Sequence, residues 1–168
     1  TLEIASFEAD LASLRASGAL SASNILLDPA VSGSFRTADF SPLKLVQELK
    51  MDPPITADPD ALQTASLSAV FSGNRSGLDL RDLEIELDQS RFNGVISVNQ
   101  FDQPKIGFEL AADVIDLDRY LEQSSDASGQ EDTAMPQEEL RGHEIDGQLS
   151  VAKLTLAGLD FSDAQLGI

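Results

Sequence analysis

Asp113, Asp116 and Asp118 stand close enough in sequence to offer carboxylate oxygens to a hard cation such as calcium. Their spacing does not fit that chemistry, which needs a glycine at a sharp turn and a distal bidentate glutamate. A helix cap and a solvated strand end account for them instead. The single histidine, His143, follows Gly142 with no second His and no Cys to share a metal, so it reads as an exposed loop residue. Asp52, Asp58 and Asp60 lie among prolines and read as turn residues. Paired carboxylates for glycoside hydrolysis arise easily in an acidic chain, yet sugar sites bring aromatic platforms, and here there is one Tyr and no Trp. No Gly-x-Ser-x-Gly elbow sets up a serine nucleophile, and Gly73, Gly77 and Gly94 form no phosphate-binding loop ahead of a helix. Tyr120 reads as a packing anchor rather than an acid. The chain is therefore read as non-catalytic, with no metal and no cofactor, and its work as binding or structural.

The elements that hold these residues are mostly strands, because period-two alternation is the commonest pattern in the sequence. Leu67, Ala69 and Phe71 share one face of a run closed by Ser72-Gly73-Asn74. Leu83, Ile85 and Leu87 alternate with Asp82, Glu84, Glu86 and Asp88. Phe92, Gly94, Ile96 and Val98 follow, then Ile106, Phe108, Leu110, Ala112 and Val114, then Ile145, Gly147, Leu149 and Val151, with Leu154 and Leu156 starting another run. Sheets with one apolar and one acidic face are usually antiparallel. Ser41-Pro42 opens a short helix through Leu49, Pro59 opens a turn through Leu62, and Asp116 caps a third from Leu117 to Leu121. Phe7 to Leu14 is ambiguous between strand and helix. The expected fold is mainly β: a curved antiparallel sheet, or two, built from repeated strand pairs with a few short helices. Residues 1–121 form the repeat-built part, 122–138 a flexible acidic loop with little to bury, and 139–168 the final strands of the same domain.

With 168 residues, 42% of them apolar, the chain is long enough for a real core, which Leu, Ile, Val and eight Phe must supply. Eleven Lys and Arg against 29 Asp and Glu give a net charge of −18. Such a chain repels phosphate backbones and anionic membrane surfaces, so nucleic acid is not an expected partner. There is no Cys, which excludes disulfides. No run of about 18 apolar residues is present to span a bilayer. The opening Thr1-Leu2-Glu3-Ile4 is already in strand rhythm, as in a segment of a longer chain whose anchoring part lies elsewhere.

Self-similarity is the most informative feature. Ser32-Gly33-Ser34-Phe35-Arg36-Thr37-Ala38-Asp39-Phe40 aligns without a gap to Asn93-Gly94-Val95-Ile96-Ser97-Val98-Asn99-Gln100-Phe101. Each is preceded by a Leu-Asp pair, Leu27-Asp28 and Leu87-Asp88, expected to end another strand. Gly18 to Ile25 likewise matches Gly147 to Leu154. From Leu83 the order runs Leu83-Glu84-Ile85-Glu86-Leu87-Asp88, Phe92-Asn93-Gly94-Val95-Ile96-Ser97-Val98, Pro104 to Leu110, and Ile115-Asp116-Leu117-Asp118-Arg119-Tyr120-Leu121. An acidic insert then leads to Leu140-Arg141, Asp146-Gly147-Gln148-Leu149 and Lys153-Leu154.

In that order the sequence resembles the AsmA family of bacterial envelope proteins, from roughly Leu62 to the end. The resemblance implies a periplasmic body whose parent is anchored in the inner membrane, with a part in outer-membrane biogenesis. TamB-like relatives are thought to form long β-sheet grooves whose apolar inner face carries phospholipid between membranes. The expected partners are phospholipid and outer-membrane assembly proteins. Phe92, Ile96, Val98, Ile106, Phe108 and Leu110 are the residues expected to form one continuous lipid-facing wall. The same alternation would serve a sheet closed on itself. The alternative function is a protein-interaction scaffold that docks partners through its acidic surface or an open sheet edge.

Overall fold

Wherever apolar and polar residues alternate in the sequence, the chain is extended. The computed structural model describes residues 1–121 and 144–167. Nine strands lie side by side in chain order: β1 (Leu2–Leu11), β2 (Leu14–Ser23), β3 (Ala30–Thr37), β4 (Ala65–Asn74), β5 (Gly77–Leu87), β6 (Ser90–Asn99), β7 (Lys105–Asp116), β8 (Glu144–Leu156) and β9 (Leu159–Gly167). The sheet is open, with β1 and β9 as its edges. The fold is mainly β with one short helix, α1 (Pro42–Glu48), and a 3-10 turn at Leu117–Arg119. Ser41 caps α1 by accepting from the Lys44 N–H, and Asp116 caps the 3-10 turn by accepting from the Asp118 N–H. The ambiguous segment Phe7 to Leu14 is a hairpin, reversing at Ala12 with φ 55°.

Three details depart from the expected fold. The sheet is not wholly antiparallel, since β7 and β8 run parallel, Lys105 beside Glu144 and Asp116 beside Thr155. The chain leaves β7 at one end and begins β8 at the other, and the connection through residues 117–143 exceeds the dozen or so residues that a parallel crossover needs. The helix expected from Leu117 to Leu121 is only a 3-10 turn, Leu117–Arg119, whereas the turn expected from Pro59 through Leu62 does form. The Asp88 carboxylate captures the N–H groups of Leu62, Gln63 and Thr64, and Leu62 turns away at φ 59°. Leu27-Asp28 lies in the β2–β3 turn rather than at a strand end, whereas Leu87 does end β5. The segment 122–138, expected as a flexible loop, and His143 lie outside the described residues.

Strict alternation would not keep the apolar residues on one side. In β5, Leu78 and Leu80 are even-numbered while Leu83, Ile85 and Leu87 are odd. A register shift between Leu80 and Leu83, with Asp82 at φ 48°, inserts the extra residue that returns both sets to one face. The same device acts in β1, where the register shifts between Ile4 and Phe7. The repeat has a structural meaning as well. Gly33 and Gly94 both sit where a neighbouring carbonyl, that of Ala19 or Glu109, passes so close that a Cβ would run into it.

Burial is concentrated at one end of the sheet. Ala65 and Ala69 in the first half of β4, Leu83 in the second half of β5, and Ala61 in the segment between α1 and β4 are buried. Ala112, Ile115, Val151 and Leu154 form a second cluster at that end, with Phe92, Leu117, Leu149 and Ala164 against it. Among the large side chains of the described residues, only Leu83 and Val151 are fully enclosed.

Candidate functional site

Direct cross-strand partners share a face, so the register assembles the site row by row. One row runs Ile4, Leu20, Gly33, Phe71, Leu80, Ile96, Phe108 and Gly147 across eight strands. The next runs Leu2, Ala22, Val31, Gly73, Leu78, Val98, Ile106 and Ile145. No residue of the first row is buried, and Ala22 alone is buried in the second. On the other face the row between them reads Glu3, Ser21, Ser32, Ser72, Asp79, Ser97, Gly107 and Asp146. Eight strands at about 4.8 Å spacing give the apolar rows a span of roughly 34 Å.

The six residues expected to form the wall all lie on this face and are all half-buried. Ile96 stands opposite Phe108, Val98 opposite Ile106, and Leu110 opposite Gly94. Phe92 differs from the other five, because it packs against the Ala112–Val151 cluster and serves the core. The wall also extends beyond these six, through Leu20, Phe71, Leu78, Leu80 and Ile145. Period-two reading missed Leu78 and Leu80 because the bulge in β5 reverses their parity.

Phenylalanines flatten the face. Phe7 stands opposite Gly18, Phe71 opposite Gly33 and Phe108 opposite Gly147. A Cβ on Gly33 would meet the Phe71 ring at 2.8 Å, one on Gly18 would meet the Phe7 ring at 2.9 Å, and one on Gly147 would run into the Phe108 ring. Each ring therefore lies over a backbone that has no side chain of its own, covering it as an aromatic rescues a glycine in a sheet.

The polar groups singled out in the sequence hold the covered end together. Asp88, at the β5–β6 turn, accepts from the N–H of Leu62 at 2.8 Å, Gln63 at 2.9 Å and Thr64 at 3.2 Å, and from the Tyr120 hydroxyl at 2.9 Å. Burial pushes this carboxyl up, but the four donors outweigh it and hold it below the usual carboxylate range. Burial, and then the hydrogen bond to Asp88, push the Tyr120 phenol up to about 12. Arg119 bonds Asp58 at 2.7 Å. Asp118 accepts from the N–H groups of Ala157 and Gly158, closing the β8–β9 turn, and Asp113 accepts from those of Arg91 and Val114. Leu117 to Leu121 thus reads as a clasp, a role for which no sequence signal exists beyond the polar residue types. Among the described residues, no three His, Asp or Glu side chains converge as metal ligands do.

A recess across β5 to β8 is lined by polar-face side chains, Asp79, Arg81, Val95, Glu109 and Asp146 among them, and also touches Leu80, Ile96 and Phe108 of the first apolar row. Among the described residues, the apolar rows form an open surface. The chain matches no family model, no curated protein and no solved structure.

Proposed function

We propose that the chain is a non-catalytic, periplasmic segment of an AsmA-like envelope protein that handles phospholipid by laying acyl chains along its apolar sheet face, and so contributes to outer-membrane biogenesis. The observation that carries this reading is the pair of apolar rows that nothing among the described residues covers. Monomeric proteins rarely leave more than a few hundred Å² of contiguous apolar surface in water. Acyl chains supply a fitting cover, since each CH₂ removed from water contributes about 0.8 kcal/mol. The rows span more than twice the roughly 15 Å depth of one leaflet's hydrocarbon. The serine- and acid-rich opposite face stays in water. The order of residues from Leu83 to Leu121 adds the family resemblance.

Purification from bacteria without detergent, followed by mass spectrometry of an organic extract, tests this reading. Phospholipid near one molecule or more per chain is the expected result. A lipid-free protein would contradict it.

A second reading, a scaffold for assembly proteins, is favoured by the open edges of β1 and β9. Glu3, Glu8 and Asp10 on β1, and Asp160 and Asp163 on β9, guard those edges against self-pairing and leave a partner of opposite charge as the fitting one. Salt-sensitive capture of such a partner by lipid-free protein would support the scaffold.

A further inference from the structure

The turn between β2 and β3 breaks the chemistry of turns. Asn24 accepts from the N–H of Leu27 at 3.0 Å and of Asp28 at 3.1 Å, and has φ 50°. That geometry fixes the tip, yet the tip is Ile25-Leu26-Leu27 where Gly, Asn, Asp or Ser would be ordinary. Ile25 is 52% exposed, Leu26 91% and Leu27 86%. Three consecutive exposed aliphatics are a fault in a sheet protein unless they serve a function.

The strand register places two other turns at the same end of the sheet. The β4–β5 turn carries Arg75, and the β6–β7 turn carries Phe101, which is 50% exposed. The helix-bearing, clasped end is the opposite one. Among the described residues, this end therefore presents an aliphatic tip, a cation and an aromatic ring.

We propose that the Ile25-Leu26-Leu27 turn inserts into the surface of a phospholipid bilayer, with Arg75 at phosphate level and Phe101 at the headgroup boundary. A folded protein is the poorer fit, because three protruding side chains offer far less than the roughly 800 Å² per partner of a stable interface. Hydrocarbon closes around isolated protruding groups and needs no matching surface. The net charge of −18, with Asp28 and Asp102 beside the two apolar turns, directs the contact to zwitterionic rather than anionic lipid. The contact is independent of acyl binding on the sheet face.

The chain has no Trp, so Leu26→Trp places the sole indole at the tip. Vesicles of phosphatidylethanolamine and phosphatidylcholine are expected to shift its emission to the blue and expose it to quenching by brominated acyl chains. Ile55→Trp, at the opposite end and at a residue 74% exposed, is expected not to shift. Adding Leu27→Asp to a Leu26→Asp variant is expected to lower vesicle flotation about a hundredfold relative to the unaltered chain. Four outcomes would overturn the tip: no shift at position 26, an equal shift at position 55, flotation unchanged by the aspartates, or a shift that follows protein concentration without vesicles. Phospholipid in the detergent-free extract alongside any of these would leave the sheet-face reading standing, so the two failures are distinguishable.

Discussion

Replacing Asp88 with alanine lowers stability by roughly 2–4 kcal/mol, the range set by stranding donors that had faced a charged acceptor. Three backbone N–H groups and the Tyr120 hydroxyl lose their common partner, and the segment from Asp58 to Thr64 loses its fastening to the β5–β6 turn. For a chain of this size that is a fall in Tm of roughly 4–16 °C. Asp88→Asn keeps the shape but brings a donor where four donors already converge, so it too destabilises. The pH dependence has a definite sign. The folded carboxyl titrates below its ordinary value of 3.8, so its contribution is fully present above that pH and lost as pH falls through the lower, folded value. Thermal melts from pH 7 to pH 2 should show the unaltered chain losing this stability in acid, while Asp88→Asn loses correspondingly less. Identical acid sensitivity in the two would remove Asp88 from the role given to it.

The second large effect separates lipid binding from folding. Ile96, Val98 and Ile106 are half-exposed neighbours at the uncovered end of the face, and changing all three to threonine keeps β-branching while adding hydroxyls to the wall. The strands should stay formed, with Tm lowered by only a few degrees. Acyl chains would then lie against polar groups, and at roughly 1 kcal/mol per position, bound phospholipid should fall by about a hundredfold. Collapse of the fold would mean that these side chains form a closed core. Phe108 is left unaltered because its ring covers Gly147, and its loss would mix the two effects.

The strand runs were legible in the sequence because alternation and burial come from the same physics: Leu83, Ile85 and Leu87 lie on one face as their spacing requires. Ser41-Pro42 was legible for a similarly local reason. The order of the strands was only half legible. Hairpins follow from short turns, but the parallel pairing of β7 with β8 depends on where a long connection returns, which no local pattern states. The bulges were hidden too. They show in sequence only as a change of parity between Leu80 and Leu83 or between Ile4 and Phe7, which also looks like a break between strands. The candidate wall was partly visible as the even-numbered residues of β6 and β7. Its extension through Leu20, Phe71 and Leu80 needed the register. The clasp formed by Asp118, Arg119 and Tyr120 was invisible, since its partners Ala157, Asp58 and Asp88 lie 39, 61 and 32 residues away.

Two adjacent residues test the proposal that one face of this sheet meets lipid and the other does not. Ile96 belongs to the apolar row between Leu80 and Phe108, while Val95 pairs with Glu109 on the opposite face. A photoreactive phenylalanine analogue placed at each position in turn, irradiated in living bacteria and followed by mass spectrometry of the adducts, reads the two faces separately. Phospholipid adducts from position 96 and none from position 95 is the expected result. Equal labelling from both positions, or adducts from position 95 alone, would contradict it.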